Sequence, residues 1–414
     1  MQINEFKINN TSIYYLQTKK FKTNLFGFSF ILPLSNKYLP ELTILSQVFT
    51  KLTKSFKSER EFALKLNELY DSQIFYNFEK KGQVLQITFY LHVISDKFIN
   101  TNNTLIHDAF NLFEEVVFDK KNITKEILEK EKKIYIESFE SKIANVYYSS
   151  GIVLYDTMFD KENYHNHLDS NIEEINKVTL NSLNEAYDLL MSSAKFGFVI
   201  GDLNQDVICD LFKNTPNTEL SLPPFIDKET KDITKTNIQM VPVNLPQSML
   251  LMGYRTDIRV DSKKYFAMCL LNKYLGGGFD SLFIKELREN HNLVYTIGSE
   301  YDWYKGIMII NCGINYEDYE TVVDLIKQCI DDIKNKIIDK ELLSAIKKQM
   351  ISEQMEAEDN LISLIEIVNQ KYFYQNKIIS NQKKIDKINN VTEEDIIEVA
   401  KSLLLDTIVL VGKE

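Results

Sequence analysis

Two segments decide the fold of this chain: VTLNSLNEAYDLLMSSAKFGFVIGD at residues 178–202 and VTEEDIIEVAKSLLLDTIVLVGKE at residues 391–414. Each begins with Val-Thr, continues with apolar residues at helical spacing, and reaches a β-rich apolar run near its end. Both patterns predict a capped helix that leads into a closing strand. Their similarity indicates that the chain contains an internal duplication.

Three further pairs of segments occur in the same order along the chain. The strand-like run 23–34 matches 247–258, the run 80–91 matches 304–314 through a shared Lys-Gly pair, and the helical stretch 123–140 matches 338–356. They predict an α+β fold of two tandem homologous domains, each a mostly antiparallel sheet with helices packed on one face. We expect a first domain at 1–218, a proline-containing linker at 219–237 and a second domain at 238–414.

Composition bounds the class of protein. A chain of 414 residues with 44% hydrophobic and 26% charged residues predicts a folded protein of more than one domain. The net charge of −11 argues against nucleic acid and anionic membranes as partners. We expect a cytoplasmic location, because no secretory signal or membrane-spanning run is visible and the four cysteines are scattered.

The stretch LGGGFDSLFIKELRENHNLVY at residues 275–295 contains the candidate site. A phosphate loop is disfavoured, because helical spacing precedes the glycines and no Lys-Ser or Lys-Thr follows them. One glycine, Gly276, is expected to end a helix as its C-cap. The run of Gly276, Gly277 and Gly278 leaves main chain uncovered, which suits close approach by another main chain.

Arg288 and Tyr295 lie seven residues apart across one predicted turn. That spacing can bring a guanidinium and a phenolic hydroxyl to the same end of the sheet, where both suit the backbone carbonyls of an extended peptide. A structural alternative is also open: an arginine paired with a surface glutamate and a half-buried core tyrosine.

The same stretch resembles the second-domain signature of the pitrilysin/insulinase family of zinc peptidases, the inverzincins. The shared pattern is Leu-Gly-Gly-Gly, a Ser, Leu-Phe, Leu-Arg-Glu, and then Leu, a small residue and Tyr. The resemblance covers nearly the whole chain and implies a clamshell of two such domains. It also implies that Arg288 and Tyr295 act on substrate at a partner's zinc site, with the three glycines beside the bound peptide. Asn292 stands where the family usually has Gly, and Asn tolerates the left-handed conformation.

The metal motif of active family members, H-x-x-E-H on the first helix, is missing. The corresponding stretch LPELTILSQVFTKL at residues 39–52 contains no histidine. On the later helix the family's glutamate would fall near Ser138, beside Glu137. His165 and His167 form an i, i+2 pair, but no third ligand is suggested nearby, so a solvated loop is favoured. We predict no metal site and no cofactor in this chain.

Loss of the metal motif with retention of the Arg/Tyr pair resembles the inactive subunits of bacterial two-subunit family members. This implies a non-catalytic subunit, inactive alone, that completes the zinc site of a homologous H-x-x-E-H subunit and binds a peptide or unfolded polypeptide. The zinc is expected in that partner. The alternative is a structural or peptide-binding scaffold, like the core proteins of complex III. A self-sufficient metalloenzyme with unusual ligands is a third hypothesis, and a homodimer without the partner is left open.

We predict that the purified chain alone binds no stoichiometric zinc and cleaves no peptide, because residues 1–90 contain no histidine. Elemental analysis and a peptide-cleavage assay check this. One tightly bound zinc per chain, with proteolysis that a chelator abolishes, would contradict it.

Overall fold

The structure is a computed structural model that describes residues 3–99, 104–165, 168–218, 221–226, 233–244, 247–374 and 379–413. Its strands form two sheets. The first contains β1 (Ile3–Ile8), β2 (Thr11–Gln17), β3 (Thr23–Pro33), β4 (Gln73–Lys81), β5 (Val84–Ile94) and β6 (Ala194–Gly201). The second contains β7 (Asn237–Val241), β8 (Ser248–Arg255), β9 (Val294–Asp302), β10 (Ile307–Ile314) and β11 (Leu404–Val411).

The strand order of the two sheets confirms the duplication. The first sheet runs β1-β2-β6-β3-β5-β4 and the second runs β7-β11-β8-β10-β9. In each sheet one parallel pair, β2 with β6 and β7 with β11, sits beside strands that are otherwise antiparallel. The second sheet therefore repeats the first except for β1, which has no counterpart among the described residues.

The helices follow the predicted order in both halves. They are α1 (Leu39–Phe49), α2 (Glu59–Glu68), α3 (Leu105–Phe118), α4 (Lys125–Ile143), α5 (Val146–Met158), α6 (Ile172–Lys177), α7 (Leu180–Ser192), α8 (Gln205–Leu211), α9 (Tyr265–Leu275), α10 (Tyr319–Lys334), α11 (Lys340–Glu356), α12 (Ile365–Tyr374), α13 (Asn381–Asn389) and α14 (Glu393–Lys401). A π-helical turn spans Ile284–Asn290. Both Val-Thr segments begin their helix with a capping box, at Thr179 and Thr392, as predicted. No helix in the described ranges is long and apolar enough to cross a membrane.

The two compact units differ from the domains expected from the sequence, because Ser141–His165 belongs to unit 2 and Ala357–Ile378 belongs to unit 1. These two stretches are called the exchanged segments. Unit 1 comprises Met1–Glu140, Asn166–Phe225 and Ala357–Ile378. Unit 2 comprises Ser141–His165, Ile226–Glu356 and Ile379–Glu414. The boundaries 1–218 and 238–414 therefore miss that α5 belongs with the second sheet and α12 with the first. Part of the predicted linker, residues 219–220 and 227–232, lies outside the described residues, and the clamshell arrangement stays a prediction.

The exchanged helices cover the second face of each sheet, so the expectation of helices on one face only is incomplete. In unit 2, Leu154 of α5 packs with Met249 and Val409 on one face, while α9, α10 and α14 pack on the other. In unit 1, Leu364 and Val368 of the α12 region pack against the first sheet. Burial of each such aliphatic side chain contributes roughly 1.5–3 kcal/mol.

The repeated Lys-Gly pair closes an equivalent hairpin in each half. Gly82, between β4 and β5, and Gly306, between β9 and β10, have φ of 59° and 77°, a backbone conformation that glycine adopts without strain. The preceding lysines, Lys81 and Lys305, each have a side chain that is only 1% exposed. Each ammonium lies over a phenylalanine ring of the exchanged segment, at 5.6 Å from the centroid in both units.

Buried charges fasten the exchanged segment of unit 2 to its sheet. Arg255 Nη2 donates to Glu162 Oε1 at 2.6 Å and to the carbonyl of Met158 at 2.8 Å, and its Nε donates to the Asp406 carboxylate. Lys305 Nζ donates to the other oxygen of Glu162. Burial raises the pKa of the Glu162 carboxyl, but the hydrogen bonds from Arg255 and Lys305 outweigh it and hold that pKa below its ordinary value.

We predict that Glu162→Gln lowers the free energy of unfolding by about 3–5 kcal/mol, because it removes a carboxylate that pairs with two buried cations, Arg255 and Lys305. The folded-state pKa of Glu162 is lowered, so its stabilisation is complete above the unfolded value of about 4.3 and is lost as the pH falls through the folded value. Urea unfolding at pH 7 and at lower pH checks both points.

The matched control is Glu173→Gln, which removes an exposed carboxylate paired with Lys177 on α6. It should leave the unfolding midpoint unchanged. Equal effects of the two substitutions would contradict the importance of the buried cluster.

Candidate functional site

Arg288 lies near the end of the π-helical turn, with its side chain exposed. Leu287 anchors this turn in the core of unit 2, and its carbonyl accepts the N–H of Leu293 at 2.9 Å. Asn292 has φ of 53°, which confirms the left-handed conformation expected where the family has Gly. The Arg288 guanidinium makes no hydrogen bond or ion pair with any described residue. The structural alternative of a pair with a surface glutamate therefore finds no support.

Tyr295 occupies a β-bulge at the start of β9. Thr296 pairs with Gly313 and Val294 pairs with Ile314, so Tyr295 is the extra residue between them. A bulge re-aims a side chain and is common beside functional sites. The tyrosine is 46% exposed.

The hydroxyl of Tyr295 is engaged within unit 2. It donates to Asn315 Oδ1 at 2.6 Å, and Asn315 Nδ2 donates in turn to Asp318 Oδ2 at 3.0 Å. Tyr295 and Asn315 are exposed and Asp318 is half-buried, so a ligand could compete for the tyrosine proton. The Leu287–Leu293 hydrogen bond holds the segments that carry Arg288 and Tyr295 next to each other.

The glycine loop lies along the outer edge of the same strand. Gly276 is the C-cap of α9, as predicted, and its carbonyl accepts the N–H of Ser299 in β9 at 3.1 Å. The expectation of uncovered main chain is wrong for Gly276, which is buried against Ser299 and Phe283. The N–H of Gly277 also donates internally, to the carbonyl of Asn272 at 3.0 Å. The loop's role beside a substrate stays a prediction, with Gly277 exposed and Gly278 half-buried.

The first helix does not fit a catalytic zinc ion. In α1, Thr43, Ser46 and Gln47 have the i, i+3, i+4 spacing of H-x-x-E-H. The Thr43 hydroxyl donates to the carbonyl of Leu39 at 2.8 Å, and the Ser46 hydroxyl donates to that of Thr43 at 2.7 Å. Zinc takes imidazole, thiolate and carboxylate ligands, which these residues do not supply. Within the described ranges, no three His, Cys, Asp or Glu side chains form a group suited to a metal.

An ion pair joins the first helix region to α4. Lys51 Nζ, two residues beyond α1, lies 2.6 Å from Glu131 Oε2, and Glu131 is buried. Glu137 and Ser138, near which the family's third ligand would fall, are exposed, and Glu137 lies 3.8 Å from Lys133. Sequence analysis missed the Lys51–Glu131 pair, because its partners are 80 residues apart and neither belongs to a motif.

Only one member of the histidine pair, His165, lies within the described residues. His165 Nδ1 lies 2.6 Å from the carbonyl oxygen of Glu162, a hydrogen bond within its own turn. His167 lies outside the described residues. The preference for a solvated loop here stays a prediction.

A cavity of about 430 Å³ lies in unit 1. Burial lowers the pKa of the Lys121 ammonium, which lines it, to about 8, and its Nζ donates to the carbonyl of Glu115 at 2.9 Å. The lining contains no carboxylate, imidazole or thiol, so it offers no metal site. The lining residues are Leu45, Lys120, Lys121, Asn122, Ile123, Leu180, Leu183, Asn184 and Tyr187.

Comparison with known sequences finds one family and several relatives. The family described as Peptidase M16 inactive domain matches residues 177–350. A Bacillus subtilis (strain 168) protein named "Probable inactive metalloprotease YmfF" is 24% identical over 413 residues, 98% of this chain and 97% of that protein. An "Uncharacterized zinc protease" of Rickettsia felis is 24% identical over 162 residues, 39% of each chain.

Solved structures share the fold over the whole chain. A conserved protein from Enterococcus faecalis V583 has a TM-score of 0.93 and 22% identity, with 100% of this chain and 99% of that chain covered. A peptidase M16 inactive domain from Pseudomonas fluorescens has a TM-score of 0.81 and 16% identity, with 100% and 98% covered. The predicted α+β fold is confirmed.

We predict that Gly276→Ala lowers the free energy of unfolding by about 1–3 kcal/mol, since its methyl group would lie 2.9 Å from the Ser299 nitrogen and the Phe283 ring. Gly278→Ala is the control, because its nearest heavy atom would be 3.4 Å away, an ordinary contact. Urea unfolding of both variants checks this, and equal stability of both variants would contradict it.

Proposed function

Because this chain belongs to the M16 (pitrilysin/insulinase) peptidase family and is a homologue of its inactive members, we propose that it is a non-catalytic, cytoplasmic subunit of a two-subunit zinc peptidase. Its partner is a homologous chain with an intact H-x-x-E-H motif, which holds the zinc. The substrate is a peptide or unfolded polypeptide. The observation that carries this proposal is the exposed Arg288, which has no partner among the described residues and lies beside the bulged Tyr295, in a chain whose α1 lacks zinc ligands.

Arg288 supplies the substrate-binding group. A guanidinium presents five fixed donors and stays charged, so it binds and orients the backbone carbonyls of an extended peptide. Its exposure and the lack of a partner among the described residues mean that no internal ion pair has to break when substrate binds. The anchored Leu287 fixes the turn that carries it.

Tyr295 supplies a second donor near the carbonyl that is attacked. Its one proton is shared with Asn315 in this structure, so substrate binding exchanges one hydrogen bond for another. The hydroxyl then donates to the oxygen that becomes negative in the transition state, where such a donor contributes most. Zinc in the partner would supply the Lewis acid and the activated water.

One observation favours the second candidate, a peptide-binding scaffold without a role in proteolysis. The Tyr295 hydroxyl is already satisfied by Asn315, at 2.6 Å, so its role here can be structural. A scaffold, however, gains nothing from an exposed arginine that has no partner in the part of the chain that the structure describes. Reconstitution with the active subunit separates the two candidates.

We predict that Arg288→Ala or Tyr295→Phe, reconstituted with the H-x-x-E-H subunit, reduces turnover of a peptide substrate at least about tenfold. Complex formation and zinc content should stay unchanged, because both side chains are exposed. Co-purification from native cells identifies the partner, and steady-state cleavage assays measure the loss.

The matched controls are Lys285→Ala, an exposed cation on the same turn, and Tyr70→Phe, an exposed tyrosine in unit 1. Both should support normal turnover. Normal turnover of the Arg288 and Tyr295 variants as well would favour the scaffold, and failure to recover any homologous partner would sink the subunit proposal itself.

A further inference from the structure

The cavity of unit 1 lies on the face of α1 opposite to the positions that correspond to the zinc motif. Leu45 of α1 lines the cavity, whereas Thr43, Ser46 and Gln47 have the spacing of that motif. Because successive residues of an α-helix are rotated by about 100°, the direction of Leu45 differs from each of those three by at least about 100°. The cavity is therefore a separate place in the fold.

The lining of the cavity suits the apolar body of a small ligand. Pockets for small molecules are mostly apolar and carry a few polar groups that fix the ligand's orientation. A water molecule's share of liquid volume is about 30 Å³, so a cavity of about 430 Å³ has room for a ligand of roughly ten non-hydrogen atoms. The aliphatic residues of the lining are Leu45, Ile123, Leu180 and Leu183.

Lys121 adds a buried ammonium to this lining. The residue is only 9% exposed. Its Nζ donates to the carbonyl of Glu115 at 2.9 Å and lies 5.4 Å from the centroid of the Phe49 ring. An ammonium has three donors, so two of them have no acceptor in the part of the chain that the structure describes.

No carboxylate of the described residues forms an ion pair with Lys121. Asp119 and Glu115 attract its charge only from a distance. The carboxylate of Glu115 accepts instead from the N–H and the hydroxyl of Ser55, at 2.6 and 2.9 Å. A buried cation is costly without an anionic partner, so the site favours a ligand that brings one.

The second lysine of the lining, Lys120, differs from Lys121 in both respects. Its side chain is 52% exposed, and its Nζ lies 3.6 Å from the carboxylate of Asp188. The positive charge of Lys120 is therefore already offset. The cavity has one buried positive charge left to neutralise.

We propose that this cavity binds a small monocarboxylate with an apolar body of medium length, whose carboxylate pairs with the Lys121 ammonium. The carboxylate accepts the two remaining donors of Lys121 in charge-assisted hydrogen bonds. The aliphatic lining removes the hydrocarbon body from water. A dianion is disfavoured, because its second charge would be buried without a partner.

This inference does not rest on the proposed function. The cavity belongs to unit 1, whereas Arg288 and Tyr295 belong to unit 2. Ligand binding is measured on the purified chain without the H-x-x-E-H subunit. A failure here would leave the proposed peptidase role untouched, and the reverse also holds.

Isothermal titration of the full chain with octanoate near pH 7 tests the proposal. We expect one site per chain with a Kd between about 10 μM and 1 mM. Octanol has the same chain without the charge, and octyl phosphate is mostly doubly charged at this pH. Each should bind at least about tenfold more weakly than octanoate.

Two variants test the two parts of the site separately. Lys121→Met keeps the length of the side chain but removes the ammonium, so it should raise the Kd for octanoate at least about tenfold. Ile123→Phe keeps the ammonium and fills the cavity from a half-buried position, so it should weaken binding by a similar factor. Unfolding midpoints close to that of the wild type verify that both variants are folded.

The matched control is Lys120→Met, the same substitution at the neighbouring lysine, which should bind octanoate like the wild type. A wild-type chain that binds no octanoate up to about 5 mM overturns the proposal. Normal binding by Lys121→Met or Ile123→Phe also overturns it, because the site would then lie elsewhere. Octanol or octyl phosphate binding as tightly as octanoate would refute the assignment of a monocarboxylate.

Discussion

In both units a buried lysine side chain packs against an exchanged segment, and the need to accommodate its buried charge constrains the fold. Lys81 and Lys305 each close a hairpin, and each side chain is almost fully buried beside a phenylalanine from the exchanged segment. A buried ammonium is costly unless it is paired. Lys81 lies 3.2 Å from Glu79 of its own strand, whereas Lys305 donates a hydrogen bond to Glu162 of the exchanged segment. The exchanged segment of unit 2 therefore supplies both a carboxylate and a phenylalanine ring to a buried lysine of the second sheet.

The sequence predicted the duplication because its signals are local. Helical spacing, capping residues and β-rich runs recur in order, and the two strand orders agree with them. Local signals could not predict that α5 packs on the second sheet and α12 on the first. An apolar helix face shows that something covers it, but it does not say which of two similar sheets does so.

In the candidate site, too, features that depend on neighbouring residues were predictable from the sequence, whereas features that depend on distant residues were not. The left-handed Asn292 and the C-cap at Gly276 follow from residue type and position, and both were predicted correctly. The burial of Gly276 depends on Ser299, which reaches it from a strand later in the chain. That Arg288 has no partner among the described residues was equally hidden, because the sequence also allowed a pair with a surface glutamate.

The exchanged segments also determine how the protein is made and how it can be divided. During synthesis the first sheet emerges from the ribosome long before residues 357–378, so its second face stays uncovered until most of the chain has been translated. The N-terminal half of the nascent chain is thus an incomplete folding unit. Cutting the gene at residues 219–237 would separate each sheet from one of its own helices. Two such fragments could regain the native cores only by complementing each other.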